Sequence, residues 1–197
     1  MSSLITSNHP NRLPPSNLAI GLNRYFQAND LSEQDVLDSG CSLGRNSQYL
    51  GALGHSVVGV SLSFEEVALA AKHDYSARST YLVADIRTNI FRKMFDAVVI
   101  SEVLHMMPKN DSKQTLRLTR SLTKPGGVNA VSGYLITPDV ADEKNRDQCF
   151  QSNELRASYL NMGWDIIDYS ESVKPVSYFR DSEMISSIAS VIAQKPR

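Results

Sequence analysis

The sequence is poor in cysteine and tryptophan, has no excess of charge of either sign, and carries no long apolar run. Its two cysteines, Cys41 and Cys149, are too few for a disulfide framework and lack the paired spacing of a zinc site, so a reducing compartment is expected. The four histidines, His9, His55, His73 and His105, are scattered at no metal-ligand spacing, and no metal is expected. No apolar run approaches the ~20 residues that span a bilayer. The opening residues, Met1 to Pro15, are polar and proline-bearing rather than a charged stretch followed by an apolar one. A soluble, cytoplasmic protein with no membrane partner is expected. Lys and Arg number 20 against 21 Asp and Glu, a balance that leaves no electrostatic footprint for nucleic acid.

What is present is a chain of 197 residues, 42% of them hydrophobic, enough for one large core. Residues 1–16, with Pro10, Pro14 and Pro15 and no hydrophobic period, read as a flexible arm, and residues 17–197 as a single domain. Leu18, Leu22, Tyr25 and Phe26 recur at helical spacing, with Asn17 as the N-cap. The next hundred residues alternate short β-rich runs with segments of helical period, the pattern of a parallel sheet with crossover helices. Strands are predicted at Asp35 to Asp38, Ser56 to Val60, Tyr81 to Val83, Phe95 to Ser101 and Val128 to Leu135. Helices are predicted at Asn46 to Leu53, Ser63 to Lys72 and Asp111 to Leu122. After the polar stretch Pro138 to Gln148 come a helical pattern, Ser152 to Leu160, and strand-like runs Trp164 to Ser170 and Ile185 to Ala193, read as an antiparallel pair that finishes the sheet.

The segment from Val36 to Asn46 runs from a strand through a glycine-bearing turn into a helix. Glycine lets the backbone turn sharply and approach a ligand with no Cβ in the way, and the helix N-terminus beyond it offers free N–H groups. The same spacing also suits a tight strand-to-helix turn that binds nothing. The motif Leu-Asp-x-Gly-Cys-x-x-Gly-Arg-Asn-Ser-x-Tyr-Leu, at Leu37 to Leu50, is followed by Gly54-His55, by Phe95-Asp96 and Val103-Leu104-His105, by Thr123 to Gly127 with Asn129, by Glu154-Leu155-Arg156, and by Ala193 to Pro196. On these residues the chain resembles the class I S-adenosylmethionine-dependent methyltransferases, and among them the small tellurite-resistance TehB family.

The resemblance implies an α/β, Rossmann-like sheet of about seven strands, the last pair antiparallel, with helices on both faces and S-adenosylmethionine across the carboxyl ends of the first strands. It implies that Gly40 and the backbone of Cys41, Ser42 and Gly44 approach the methionine moiety, and that Asp38 orders that loop. Arg45 and Asn46 would start the helix beside it. Ser61 and Leu62 would lie at the ribose end, Asp85 and Ile86 would contact the adenine, and Ser101 and Val103 would sit under the sulfonium.

Two positions depart from the family pattern. Ser42 stands where the family has glycine, and Ser61 where the family has an acid that accepts from both ribose hydroxyls. Loss of a charged acceptor costs on the order of 1.5–3 kcal/mol, a roughly ten- to hundredfold weaker cofactor constant. Glu65 or Glu66 is near enough in sequence to replace it, although Ser63-Phe64-Glu65-Glu66 also reads as a capping box that uses Glu66 at the helix start. Ser42 fits if its φ is negative and strains the loop if φ is positive.

His105 and Glu102, after the fourth strand, are the candidates for a general base or substrate contact; solvent-facing or packing roles are equally open. Cys41 sits at a helix N-terminus, a setting that can lower a thiol pKa, although backbone packing is the simpler role. Tyr134 reads as a core or surface-loop aromatic. Tyr178 and Arg180 are the late candidates for gripping an oxyanion. The expected activity is methyl transfer to a small-molecule acceptor, a chalcogen oxyanion such as tellurite or selenite, or a thiol, by a monomer or homodimer. The competing expectation is the same fold with a weakened or repurposed cofactor site.

Overall fold

The computed structural model describes residues 14–88, 90–136, 148–179 and 182–197, with side chains for all of these except 173–179 and 182–186. The sheet has seven strands: β1 (Asp35–Ser39), β2 (Ser56–Ser61), β3 (Ser79–Val83), β4 (Phe95–Ser101), β5 (Thr123–Tyr134), β6 (Asp165–Phe179) and β7 (Ser182–Gln194). Their order is β3-β2-β1-β4-β5-β7-β6. The first five are parallel, and β7 runs antiparallel to both β5 and β6. The helices are α1 (Asn17–Ala28), α2 (Arg45–Ala52), α3 (Phe64–Lys72), α4 (Lys109–Ser121) and α5 (Glu154–Leu160).

Burial explains the run of apolar residues in β4. A parallel strand covered by helices on both faces reads as continuously hydrophobic, and Ala97 to Ile100 are all fully buried. Successive side chains then go to opposite layers. Ala97 and Val99 pack with Leu18, Leu22 and Phe26 of α1. Ile100 packs on the other face with Leu116 of α4 and Leu155 and Tyr159 of α5. Among the described residues no helix is long and apolar enough to cross a membrane.

The structure moves several predicted boundaries. Ser16, not Asn17, caps α1, its hydroxyl accepting the Ala19 N–H at 3.2 Å. Ser16 is itself buried, and its N–H donates to Asn46 Oδ1 at 2.9 Å; residues 1–13 of the expected arm lie outside the described residues. β5 begins at Thr123 rather than Val128, because Thr123 pairs with Phe95 before an irregularity absorbs the Lys-Pro-Gly-Gly segment and pairing resumes at Ala97↔Val128. β6 and β7 are both longer than predicted. β7 leaves β5 at Ile188, opposite Tyr134, and continues with β6 alone to Phe179↔Ser182, so the hairpin runs past the carboxyl end of β5.

The chain goes from β1 outward to β2 and β3 and returns to β4 on the other side of β1. Strand order reverses there, and in open parallel sheets such a reversal sets a ligand crevice at the carboxyl ends of the two strands, here β1 and β4.

Candidate functional site

The glycine turn forms one wall of that crevice. Gly40 has φ +88°, and a Cβ on it would lie 2.5 Å from Cγ2 of Val103, so only glycine lets the β1 and β4 ends meet. The N–H groups of Gly40 and Cys41 both donate to the Val60 carbonyl, at 2.9 and 2.8 Å, which fastens the turn to β2. Beneath it Asp38 is fully buried, and its Oδ2 accepts from Ser47 N at 3.1 Å and Ser47 Oγ at 2.6 Å. Burial pushes the Asp38 carboxyl up to about 6, against the opposing pull of the two Ser47 bonds. Cys41 does not have the lowered pKa that a helix N-terminus can give: burial and the nearby charges of Asp38 and Glu66 push its thiol up.

Arg45 and Asn46 open α2, but they turn in different directions. Arg45 Nη2 reaches Glu102 Oε1 at 3.5 Å, a half-exposed ion pair that bridges the β1 and β4 ends. Asn46 is buried, and its Oδ1 is used by the Ser16 N–H.

The two serines that depart from the family pattern, Ser42 in the glycine turn and Ser61 at the end of β2, both bond one carboxylate. Ser42 Oγ donates to Glu66 Oε1 at 2.9 Å, and Ser61 Oγ donates to Glu66 Oε2 at 2.7 Å. Ser42 adopts φ +48°, the strained alternative. The expected capping box is only half made. Ser63 Oγ accepts the Glu66 N–H at 3.2 Å, but its hydroxyl donates to Glu65 Oε2 and its N–H goes to Ser61 Oγ at 3.4 Å. Leu62 stands beside this cluster, 65% exposed.

After β3, Asp85 is tied to its neighbour. Arg87 Nε and Nη2 donate to its two oxygens at 2.6–3.0 Å, and these bonds hold the Asp85 carboxyl below the usual range. Ile86 is partly buried against the core beneath it.

The end of β4 is built differently. Glu102 has φ +58°, an uncommon conformation for a non-glycine residue, and its N–H lies 3.2 Å from both the carbonyl and the hydroxyl oxygen of Ser132. His105, in a 3₁₀ turn, Leu104–Met106, stacks on Tyr134 with ring centroids 3.8 Å apart and planes 9° from parallel. Burial lowers its imidazole pKa to about 4, with Glu102 pulling the other way. His105 Nδ1 and Ser101 Oγ are buried and have no hydrogen-bond partner among the described residues.

The structure therefore brings together Gly40 with Val103, Arg45 with Glu102, and Ser42 with Ser61 through Glu66. The side chain of Tyr178 and all of Arg180 lie outside the described residues. Sequence reasoning did not find Tyr134 as the partner of His105, nor Glu66 as the shared acceptor. Two serines where the family has a glycine and an acid, with glutamates a few residues on, were the available signal for the second.

Residues 36–127 match a family described as a methyltransferase domain. The chain is similar to a probable S-adenosyl-L-methionine-dependent methyltransferase, TehB, of Haemophilus influenzae, with 26% identity over 145 residues, 73% of this chain and 50% of that protein. It thus spans half the length of that curated relative. The crystal structure of TehB from Haemophilus influenzae shares the fold with a TM-score of 0.75 and 22% identity, over 88% of this chain and 61% of that one. The 4+2 cyclase SpnF also shares it, with a TM-score of 0.71 and 17% identity over 90% of this chain and 80% of that one. Residues 36–127 thus match a methyltransferase domain, and the chain is similar to TehB in sequence and shares its fold.

Proposed function

We propose that the chain is an S-adenosylmethionine-dependent methyltransferase whose acceptor is a small chalcogen oxyanion, such as tellurite or selenite, or a thiol. The observation that carries this reading is the convergence, along the carboxyl ends of β1, β2 and β4, of the Gly40 turn, the Ser42–Ser61–Glu66 cluster and the unpartnered atoms of Ser101 and His105. These residues fit the group. Two buried polar atoms, Ser101 Oγ and His105 Nδ1, lack a partner among the described residues and suit a reacting end, and the Glu66 carboxylate beside Ser61 suits a nucleoside.

S-adenosylmethionine supplies a sulfonium-activated methyl group. The chain aligns it and keeps water away. Asp38 fixes the loop Gly40, Cys41, Ser42 and Gly44 from below, and that loop with the α2 start at Arg45 and Asn46 holds the methionine end. Ser61 would face the ribose, exposed Leu62 and partly buried Ile86 would offer apolar surface to the purine, and Asp85 would shape its far rim. Ser101 and Val103 line the reacting centre.

His105, neutral above about pH 4, is a weak base. An acceptor that arrives as an anion needs no stronger one, whereas an ordinary hydroxyl would. Glu102 holds Arg45 across the crevice, and Tyr178 and Arg180 complete the reading as an anion grip.

Calorimetric titration with S-adenosylmethionine and S-adenosylhomocysteine, followed by mass spectrometry with each candidate acceptor, tests this reading. Binding in the micromolar range with a methylated chalcogen or thiol product is expected; no binding at millimolar ligand overturns it. A second reading, another reaction on the same fold, is favoured by the serines at 42 and 61 and by the fold shared with a 4+2 cyclase. Binding without a methylated product would select it.

A further inference from the structure

We propose that Glu66, carried on α3 instead of at the end of β2, is the acid that grips the nucleoside's vicinal diol, and that Ser42 and Ser61 exist to hold it in place. The proposal rests on the methyltransferase reading above. An ionised carboxylate has about four lone-pair sites and no donor. Ser61 Oγ takes one site on Oε2, and Ser42 Oγ takes one on Oε1. One site on each oxygen remains, and a 2′,3′-diol presents two O–H donors side by side.

The local structure argues that Glu66 is aimed rather than merely capping. A capping glutamate would turn back to the Ser63 N–H, but that N–H donates to Ser61 Oγ, and Glu65 has taken the Ser63 hydroxyl. Glu66 points across the β2 end instead, to a serine of the glycine turn 24 residues away in sequence. Ser42 reaches it from a left-handed backbone, φ +48°, a conformation that costs an ordinary side chain roughly 1–2 kcal/mol. A glycine at 42 would avoid that cost and would have no hydroxyl to give. A carboxylate at 61 would stand against Glu66 with no proton between them. The two serines and the glutamate therefore work as one unit, in which strand and loop supply neutral donors and the helix supplies the charge.

The test is calorimetric binding of S-adenosylhomocysteine and of its 2′-deoxy analogue to the unmodified protein, to Glu66→Gln and to Glu65→Gln, with thermal melts to confirm folding. Glu66→Gln is expected to weaken S-adenosylhomocysteine binding about ten- to hundredfold, and Glu65→Gln to leave it within about twofold. The unmodified protein is expected to bind the deoxy analogue at least about tenfold more weakly, and Glu66→Gln to lose most of that discrimination. The analogue needs no substitution, so the comparison stands even if a variant misfolds. Tight binding of S-adenosylhomocysteine by the unmodified protein, unchanged by Glu66→Gln or with no preference for the diol, overturns the role of Glu66 and leaves the methyltransferase reading intact. No binding by the unmodified protein overturns both.

Discussion

The two ends of the crevice handle their polar groups in opposite ways. At the carboxyl ends of β1 and β2, Asp38 is satisfied by Ser47, the Gly40 and Cys41 N–H groups by Val60, and the Ser42 and Ser61 hydroxyls by Glu66. At the ends of β4 and β5, Ser101 Oγ and His105 Nδ1 are buried with no partner among the described residues, and Glu102 is held at positive φ. A buried polar atom without a partner costs about 1–3 kcal/mol, and strained backbone adds to that. The first region is a preassembled holder. The second keeps polar atoms available, which is where the proposed function puts the methyl acceptor.

The contrast gives the two regions opposite responses to acid. Its folded pKa, about 6, is above the ordinary 3.8, so the native state binds more protons than the unfolded state between those values. Ionising Asp38 therefore works against folding. Relative to Asp38→Asn, which cannot ionise, the unmodified protein is expected to lose roughly 2 kcal/mol of stability as pH rises from 4 to 7. Urea denaturation midpoints at several pH values measure this difference; parallel pH curves for the two proteins would mean that Asp38 has an ordinary pKa and is not the buried charge at the base of the loop.

His105 is expected to act with the reverse sign. Its pKa falls from 6.5 to about 4 in the folded protein, so the unfolded state binds more protons in that window. The stability tied to a neutral His105 is present above pH 6.5 and lost as pH falls toward 4. NMR titration of the imidazole is expected to show a midpoint near 4 in the native protein. Tyr134→Ala should raise that midpoint toward 6.5, because the stacked ring contributes to the burial that lowers it. An unmoved midpoint would assign the desolvation to other neighbours.

Much of the first region was legible in the sequence because its order is local. The run from Leu37 to Leu50 contains strand, turn and helix start, and Asp38 bonds Ser47 only nine residues on. The strands β1, β2 and β4 were equally legible as apolar runs bounded by turn residues. Where the fold was missed, sequence signals were ambiguous. Lys-Pro-Gly-Gly reads as a turn, yet Thr123 in front of it is already paired with Phe95; the polar Ser, Glu and Lys residues of β6 hid a strand that continues to Phe179. The second region depends on contacts that no spacing announces, since His105 meets Tyr134 from another strand end. Glu66 is the intermediate case: Ser-x-x-Glu marks a helix start whichever way the glutamate turns, and Ser61 at the β2 end and Ser42 in the glycine turn decide it.

The smallest effect separates the two contributions of Ser42. Its φ of +48° penalises any side chain with a Cβ, and its hydroxyl bonds Glu66. Ser42→Gly and Ser42→Ala both remove the hydroxyl, so the stability difference between them reports the backbone alone. Ser42→Gly is expected to be the more stable by about 1 kcal/mol, from denaturation midpoints at one pH. Both variants free Glu66 from one of its two holders, so both should bind S-adenosylhomocysteine a few-fold more weakly than the unmodified protein. A glycine variant that is more stable and binds less well would show that the loop keeps its strain for the sake of Glu66. Equal stability of the two variants would place Ser42 outside the left-handed region and remove strain from the account of the loop, while leaving the hydrogen bond to be judged by binding alone.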